Sequence, residues 1–311
     1  MIRTLGIALL LLPIAIGIWF VWPKTNTTTT TDTPSLTPHL MAEDSITIID
    51  GAKVRIRQQG PENAPVVILI HGFMHSLELW DFWADNLKED YRVIRYDLLG
   101  HGYSGPDETK RYSPQERSDF HIKVMDELDV QSAHLAGNSL GGTIAWRAAA
   151  SNPERVLSLT LINAGIFDFS GVENEPGKLP AAAEFSIKTA PMPAVKYMMK
   201  SIYANFDDLS NERLEQIQYM MQLPGNGQAF LDHISEFTMP DPTEILGQIS
   251  TSTLILWGEL DTLIPVEHAH RANDTLSNSQ IAIIPGAGHA LPEDTPRESL
   301  DKFVAFLKEV Q

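Results

Sequence analysis

Residues 133–150 read AHLAGNSLGGTIAWRAAA, and this stretch decides the fold. Ala133–Ala136 is a short apolar run, and Gly142–Ala150 has the composition of a helix. Between them lies Gly137-Asn138-Ser139-Leu140-Gly141, the one G-x-S-x-G of the chain. Composition alone would supply that pattern in roughly one chain in ten of this length, so the setting has to carry the reading. A strand, a tight turn and a helix in immediate succession put the serine on the turn and aim the helix N-terminus at it. Glycines on both sides suit a turn where flanking side chains would strike the neighbouring strand and helix. The competing reading is a tight strand-to-helix turn with an incidental serine.

Outward from this unit, mostly apolar, non-alternating runs recur at Val66–Ile70, Tyr91–Tyr96, Val156–Ile162, Thr253–Trp257 and Ile281–Ile284. Continuous runs predict strands buried on both faces, hence a mostly parallel sheet. Ser45–Ile49 and Lys53–Gln58 alternate instead, which predicts a hairpin with one exposed face, turning at Asp50-Gly51. Ser113-Pro114-Gln115-Glu116 combines an N-cap, a first-turn proline and a capping box, so a helix starts there. A last helix puts Leu300, Phe303, Val304, Leu307 and Val310 on one face. Alternating strands and helices give an α/β class, with helices on both faces of the sheet.

The alternation breaks from about Ile166 to Glu244. Helical patterns at Pro193–Tyr203, Asn211–Met221 and Gly227–Glu236, without a strand, predict an inserted helical cap. Met198, Met199, Met220, Met221, Tyr197, Tyr219, Phe230 and Phe237 either line an apolar acyl pocket there or pack the cap itself, as most such residues do.

From about Ser45 to Val310 the chain resembles the α/β-hydrolase superfamily. His71-Gly72-Phe73 resembles its oxyanion segment, which implies that the backbone N–H groups of Phe73 and Leu140 would hold an oxyanion. Asp97-Leu98-Leu99-Gly100-His101-Gly102-Tyr103-Ser104 resembles its D-x-x-G-x-G-x-S loop, which implies a structural turn with His101 bonded inside it. Gly258-Glu259-Leu260-Asp261-Thr262-Leu263-Ile264-Pro265 is similar to the loop bearing the acid, with Asp261 in that position and Glu259 exposed. Gly286-Ala287-Gly288-His289 is similar to the loop bearing the base. The order Ser139, Asp261, His289 is the order of such hydrolases. Asp168 is the alternative acid, and His75 and Asn138 are candidate pocket residues. The resemblance implies a serine hydrolase acting through an acyl-enzyme, with no metal and no organic cofactor.

A serine rather than an aspartate nucleophile argues against dehalogenase and epoxide-hydrolase chemistry. Gly-Asn-Ser-Leu-Gly-Gly resembles the elbows of C–C bond hydrolases and of membrane-associated and monoacylglycerol lipases. The C–C hydrolases typically carry tryptophan after the histidine, where this chain has Ala290, and a cap arginine, for which Arg213 is the sole candidate. The expected substrate is therefore a small ester with an apolar acyl chain, a carboxylesterase or lipase reaction. C–C hydrolysis and acyl transfer are the alternatives. A non-catalytic binding protein on the same scaffold is a further alternative, although such proteins usually lack a triad member.

Composition narrows the partners. Over 311 residues the formal net charge is −17, which disfavours nucleic acid as a partner. Absence of cysteine excludes disulfides, a thiol nucleophile and cysteine-ligated zinc. Residues 5–22 are apolar apart from the break at Pro13. As a helix of roughly 18 residues they would span about 27 Å, enough for a bilayer core. A cleaved signal would end in small residues, whereas this run ends in Trp19-Phe20-Val21-Trp22-Pro23, so an uncleaved anchor is favoured over secretion. The expected organisation is an anchor over 1–24, a Thr/Pro-rich tether over 25–44, a core of 45–165 plus 246–311, and a cap over 166–245. The catalytic body would then lie on the extracytoplasmic side of the membrane, periplasmic in a Gram-negative cell.

Overall fold

The computed structural model describes residues 38–169 and 179–310. The expected anchor and most of the tether lie outside the described residues, and among those described no helix is long and apolar enough to cross a membrane.

The strands are β1 (Asp44–Ile49), β2 (Ala52–Gln59), β3 (Val66–Ile70), β4 (Arg92–Tyr96), β5 (Ala133–Asn138), β6 (Val156–Ile162), β7 (Thr253–Gly258) and β8 (Ser279–Ile284). They form one sheet in the order β1-β2-β4-β3-β5-β6-β7-β8. β2 pairs antiparallel with β1 and β4, and every other pairing is parallel. Helices α1 (Asp81–Leu87), α2 (Pro114–Glu127) and α3 (Leu140–Ser151) alternate with β3 to β6. Between β6 and β7 lie α4 (Ala181–Thr189), α5 (Met192–Ile202), α6 (Asn211–Gln222), α7 (Asn226–Glu236) and α8 (Thr243–Leu246). After β7 come α9 (Glu267–Thr275), α10 (Leu291–Asp294) and α11 (Pro296–Val310).

Strand parity builds the layers. Along β3, Ile68 and Ile70 join Phe120, Val124 and Ile144 of α2 and α3, while Val67 and Leu69 join Trp83, Phe303 and Leu307 of α1 and α11. Successive side chains point to opposite faces, so an all-apolar strand feeds two cores at once. Ser113 caps α2 with both arms of the capping box closed, as its sequence predicts. Helix α4 was not anticipated, because the short AAAEFSIKT has too few apolar repeats to stand out.

The hairpin departs from expectation. Asp50 (φ 47) and Gly51 (φ 82) make the left-handed two-residue turn that a tight hairpin needs. Arg55 and Arg57 of β2, however, are fully buried rather than facing water, and Ile46 and Ile48 of β1 are exposed. The arginines are buried because carboxylates meet them. Arg55 reaches Asp44 at 2.8 Å, Glu78 at 2.6 Å and Asp97 at 3.3 Å, and Arg57 reaches Asp44 at 2.7 Å. Removing one partner of such a set strands the others in a dry interior. Arg55→Met is expected to cost about 3–5 kcal/mol in urea unfolding. A loss under about 1 kcal/mol would show that the cluster is no stronger than a surface pair.

Candidate active site

Ser139 follows β5 and caps α3 with φ 54 and ψ −114, a conformation that a non-glycine residue adopts only under constraint. Its N–H donates to Ile162 O at 3.0 Å, and its carbonyl accepts from Thr143 and Gly165, so the turn is tied at both ends. The glycines serve close approach. A Cβ on Gly137 would lie 2.2 Å from Gly141 O, and one on Gly141 would lie 2.1 Å from Ile70 O. Backbone on backbone at those distances leaves no room for alanine.

His289 follows β8 and Asp261 follows β7, and their side chains meet with Nδ1 2.7 Å from Oδ2. The other carboxylate oxygen accepts from the N–H groups of Leu263 (2.8 Å) and Ile264 (2.9 Å). Burial works against a charge on Asp261. The His289 imidazole and these donors outweigh it and hold the carboxyl below its ordinary value. Asp261 is therefore anionic at neutral pH and fixes which nitrogen of His289 carries the proton. Asp168 is exposed and lies near His268 rather than beside His289. Glu259 is also exposed and accepts from Gly286 N–H at 3.1 Å, closing the turn beneath the histidine loop.

Ser139 and His289 line one apolar cavity of about 200 Å³, together with Phe73, Leu140, Met198, Ile202 and Phe237. A Cβ on Gly72 would lie 3.2 Å from Ser139 Cβ, which sets the His71-Gly72-Phe73 segment directly against the serine. No acceptor among the described residues takes the N–H of Phe73 or of Leu140. Met198 and Phe237 thus face the cavity, while Met199, Met221 and Phe230 pack the interior beneath. The expected structural turn also forms. His101 is buried with Nδ1 3.1 Å from Leu99 O, and Asp97 accepts the N–H groups of Leu77 and Tyr103.

His75 lines the cavity, with Nδ1 3.2 Å from Phe73 O and Nε2 3.2 Å from Tyr203 OH, and its one ring proton serves one of the two. Burial, opposed by Glu293, pushes its imidazole down to about 4, so it is neutral at pH 7. Tyr203 donates to Glu293, whose other oxygen accepts from Arg213 at 2.6 Å. Asn138 also lines the cavity, and its amide donates to His289 O (3.0 Å) and Ile162 O (3.2 Å).

Sequence reading missed two features. Asn163, just past β6, donates to Asp261 Oδ2 at 2.6 Å. The end of α5 is also stitched to both loops. His289 N–H donates to Ile202 O (2.7 Å), Thr262 Oγ1 to Ser201 O (3.1 Å), and the N–H groups of Ala204 (3.2 Å) and Asn205 (2.9 Å) to Asp294. Asn163 stood in the sequence only as the first polar residue after an apolar strand. The stitching, mostly through backbone, left no mark at all. Among the described residues, no group of three or more His, Asp or Glu is placed to hold a metal ion.

The family model for the alpha/beta hydrolase fold matches residues 65–296. The chain is 28% identical over 266 residues to the dihydrolipoyllysine-residue acetyltransferase component of the acetoin cleaving system of Pseudomonas putida, covering 84% of this chain and 68% of that one. It is 26% identical over 273 residues to Lipase 1 of Psychrobacter immobilis, covering 84% and 83%. Among solved structures, a bacterial membrane phospholipase A superposes with a TM-score of 0.74 at 24% identity, covering 86% of each chain.

Proposed function

The chain belongs to the α/β-hydrolase fold family, and from that membership and its site we propose that it is a serine hydrolase cleaving carboxylic esters through an acyl-enzyme on Ser139. The observation that carries this reading is the strained Ser139 facing the same apolar cavity as a His289 already oriented by an anionic Asp261. In this reading His289 Nε2 takes the hydroxyl proton as Ser139 Oγ attacks the acyl carbon. The N–H groups of Phe73 and Leu140, the latter at the positive end of α3, receive the oxyanion. His289 then gives the proton to the leaving alcohol. Water, activated by the same imidazole, frees the acid and restores Ser139.

The cavity lining speaks to the substrate. Among the described residues no lysine or arginine lines it, and Arg213, the sole cap arginine in the running for a substrate carboxylate, is paired with Glu293. An uncharged ester with an apolar acyl chain suits that wall better than an anionic dienoate. In a panel of p-nitrophenyl esters from acetate to palmitate, with a monoacylglycerol and a dienoate ketone, the esters are expected to turn over and the ketone not. A fluorophosphonate probe is expected to label Ser139. Folded protein that resists the probe would overturn the assignment and favour a binding role.

A further inference from the structure

Asn163 sits at the carboxyl end of β6, where its N–H continues the ladder to Leu256 O (3.1 Å). Its φ of 44 lies in the left-handed region, which asparagine tolerates better than most residues. That bend turns a fully buried side chain toward the two neighbouring loops. The amide Nδ2 donates to Asp261 Oδ2 at 2.6 Å and lies 3.4 Å from Gly288 O, the carbonyl preceding His289. A carboxylate oxygen at 2.6 Å calls for a donor, which fixes the orientation of the amide. The Oδ1 end is buried without a hydrogen-bond partner among the described residues. A leucine would fill similar space without an orphaned acceptor, so beyond its tolerance of the left-handed backbone what the asparagine adds is its donor.

Building on the hydrolase reading above, we propose that Asn163 is a positioning residue for Asp261 and His289. One Asp261 oxygen is saturated by the N–H groups of Leu263 and Ile264. The other is shared between His289 Nδ1 and Asn163 Nδ2. Asn163 thereby holds Oδ2 where the imidazole needs it, keeps a buried carboxylate ionised, and ties the acid loop to the residue before the base. The titratable groups facing Asp261 are His289 and, from α9, His268.

The test uses Asn163→Leu and Asn163→Asp in the full chain. Loss of a hydrogen bond to a charged group predicts a kcat about 10–100-fold lower for Asn163→Leu, with KM little changed. Asp261 then leans harder on the imidazole, so the acid limb of the pH–rate profile moves to higher pH. In Asn163→Asp two carboxyls face each other and share one proton, so a donor survives near neutrality. Activity is expected to lie between wild type and the leucine variant, with a new alkaline limb where that proton leaves. A substrate-free readout is the downfield imidazole N–H proton resonance, expected to shift in Asn163→Leu. Unchanged kcat, pH profile and resonance in Asn163→Leu would overturn the role. Should that variant not fold, absence of a new alkaline limb in Asn163→Asp would overturn it. If no ester is turned over and the resonance still shifts, the ester reading falls and the positioning role stands.

Discussion

Ser139→Ala is expected to leave a folded protein whose ester turnover falls on the order of 10⁶-fold, the loss typical of removing the nucleophile from a fully developed triad. The stability half of this expectation follows from the turn. Its geometry is held by backbone bonds from Ser139 N–H to Ile162 and from Thr143 and Gly165 to Ser139 O, none of which uses the hydroxyl. Alanine keeps the same Cβ at φ 54, so the strain is neither relieved nor increased. What disappears is the atom proposed to form the acyl bond. Burst kinetics with a p-nitrophenyl ester, alongside urea unfolding, separate the two effects. Near wild-type turnover by the alanine variant would mean that the reaction runs elsewhere.

Asp261→Asn is the second large effect, with kcat expected to fall about 10⁴-fold. The surrounding donors dictate why. The N–H groups of Leu263 and Ile264 demand an oxygen at the Oδ1 position, so the new amide must put its NH₂ where Oδ2 now lies. There it meets two donors, Asn163 Nδ2 and His289 Nδ1. The imidazole answers by moving its proton to Nε2, the nitrogen that accepts from Ser139 in the proposed mechanism. The loss should fall on kcat rather than KM, because the apolar cavity wall is untouched. A variant within about tenfold of wild type would show that Asp261 does not set the tautomer.

Much of the architecture could be read from local pattern. Strands such as Val66–Ile70 and Val156–Ile162 keep their sequence bounds in the structure, since a strand largely buried on both faces is mostly apolar along its length. The meeting of Asp261 and His289 could be anticipated because their loops, each after a strand, resemble the acid- and base-bearing loops of the α/β-hydrolase superfamily. The unread parts depend on distance along the chain or on backbone. Asn163 acts on a residue 98 positions away, and His75 meets Tyr203 across 128. Arg55 and Arg57 obey the period of a half-exposed strand and are buried only because Asp44, Glu78 and Asp97 arrive from three other segments. In the cap, Met198 and Met199 are adjacent and chemically identical, yet only the first faces the cavity. Helix phase separates them, and phase alone does not say which side is hollow.

The stitching between the end of α5 and the loops of Asp261 and His289 bears on how this scaffold can be re-engineered. Residues 201–205 hold Thr262, the backbone of His289 and the side chain of Asp294, so the roof over the cavity is also part of the frame of His289. A chimera that exchanges the cap at its two chain crossings alone would carry off half of that frame and leave the histidine loop without its props. Grafts that move residues 201–205 together with 291–294 keep the joint whole, and variation aimed at the apolar cavity belongs on α4 and α7, away from the seam.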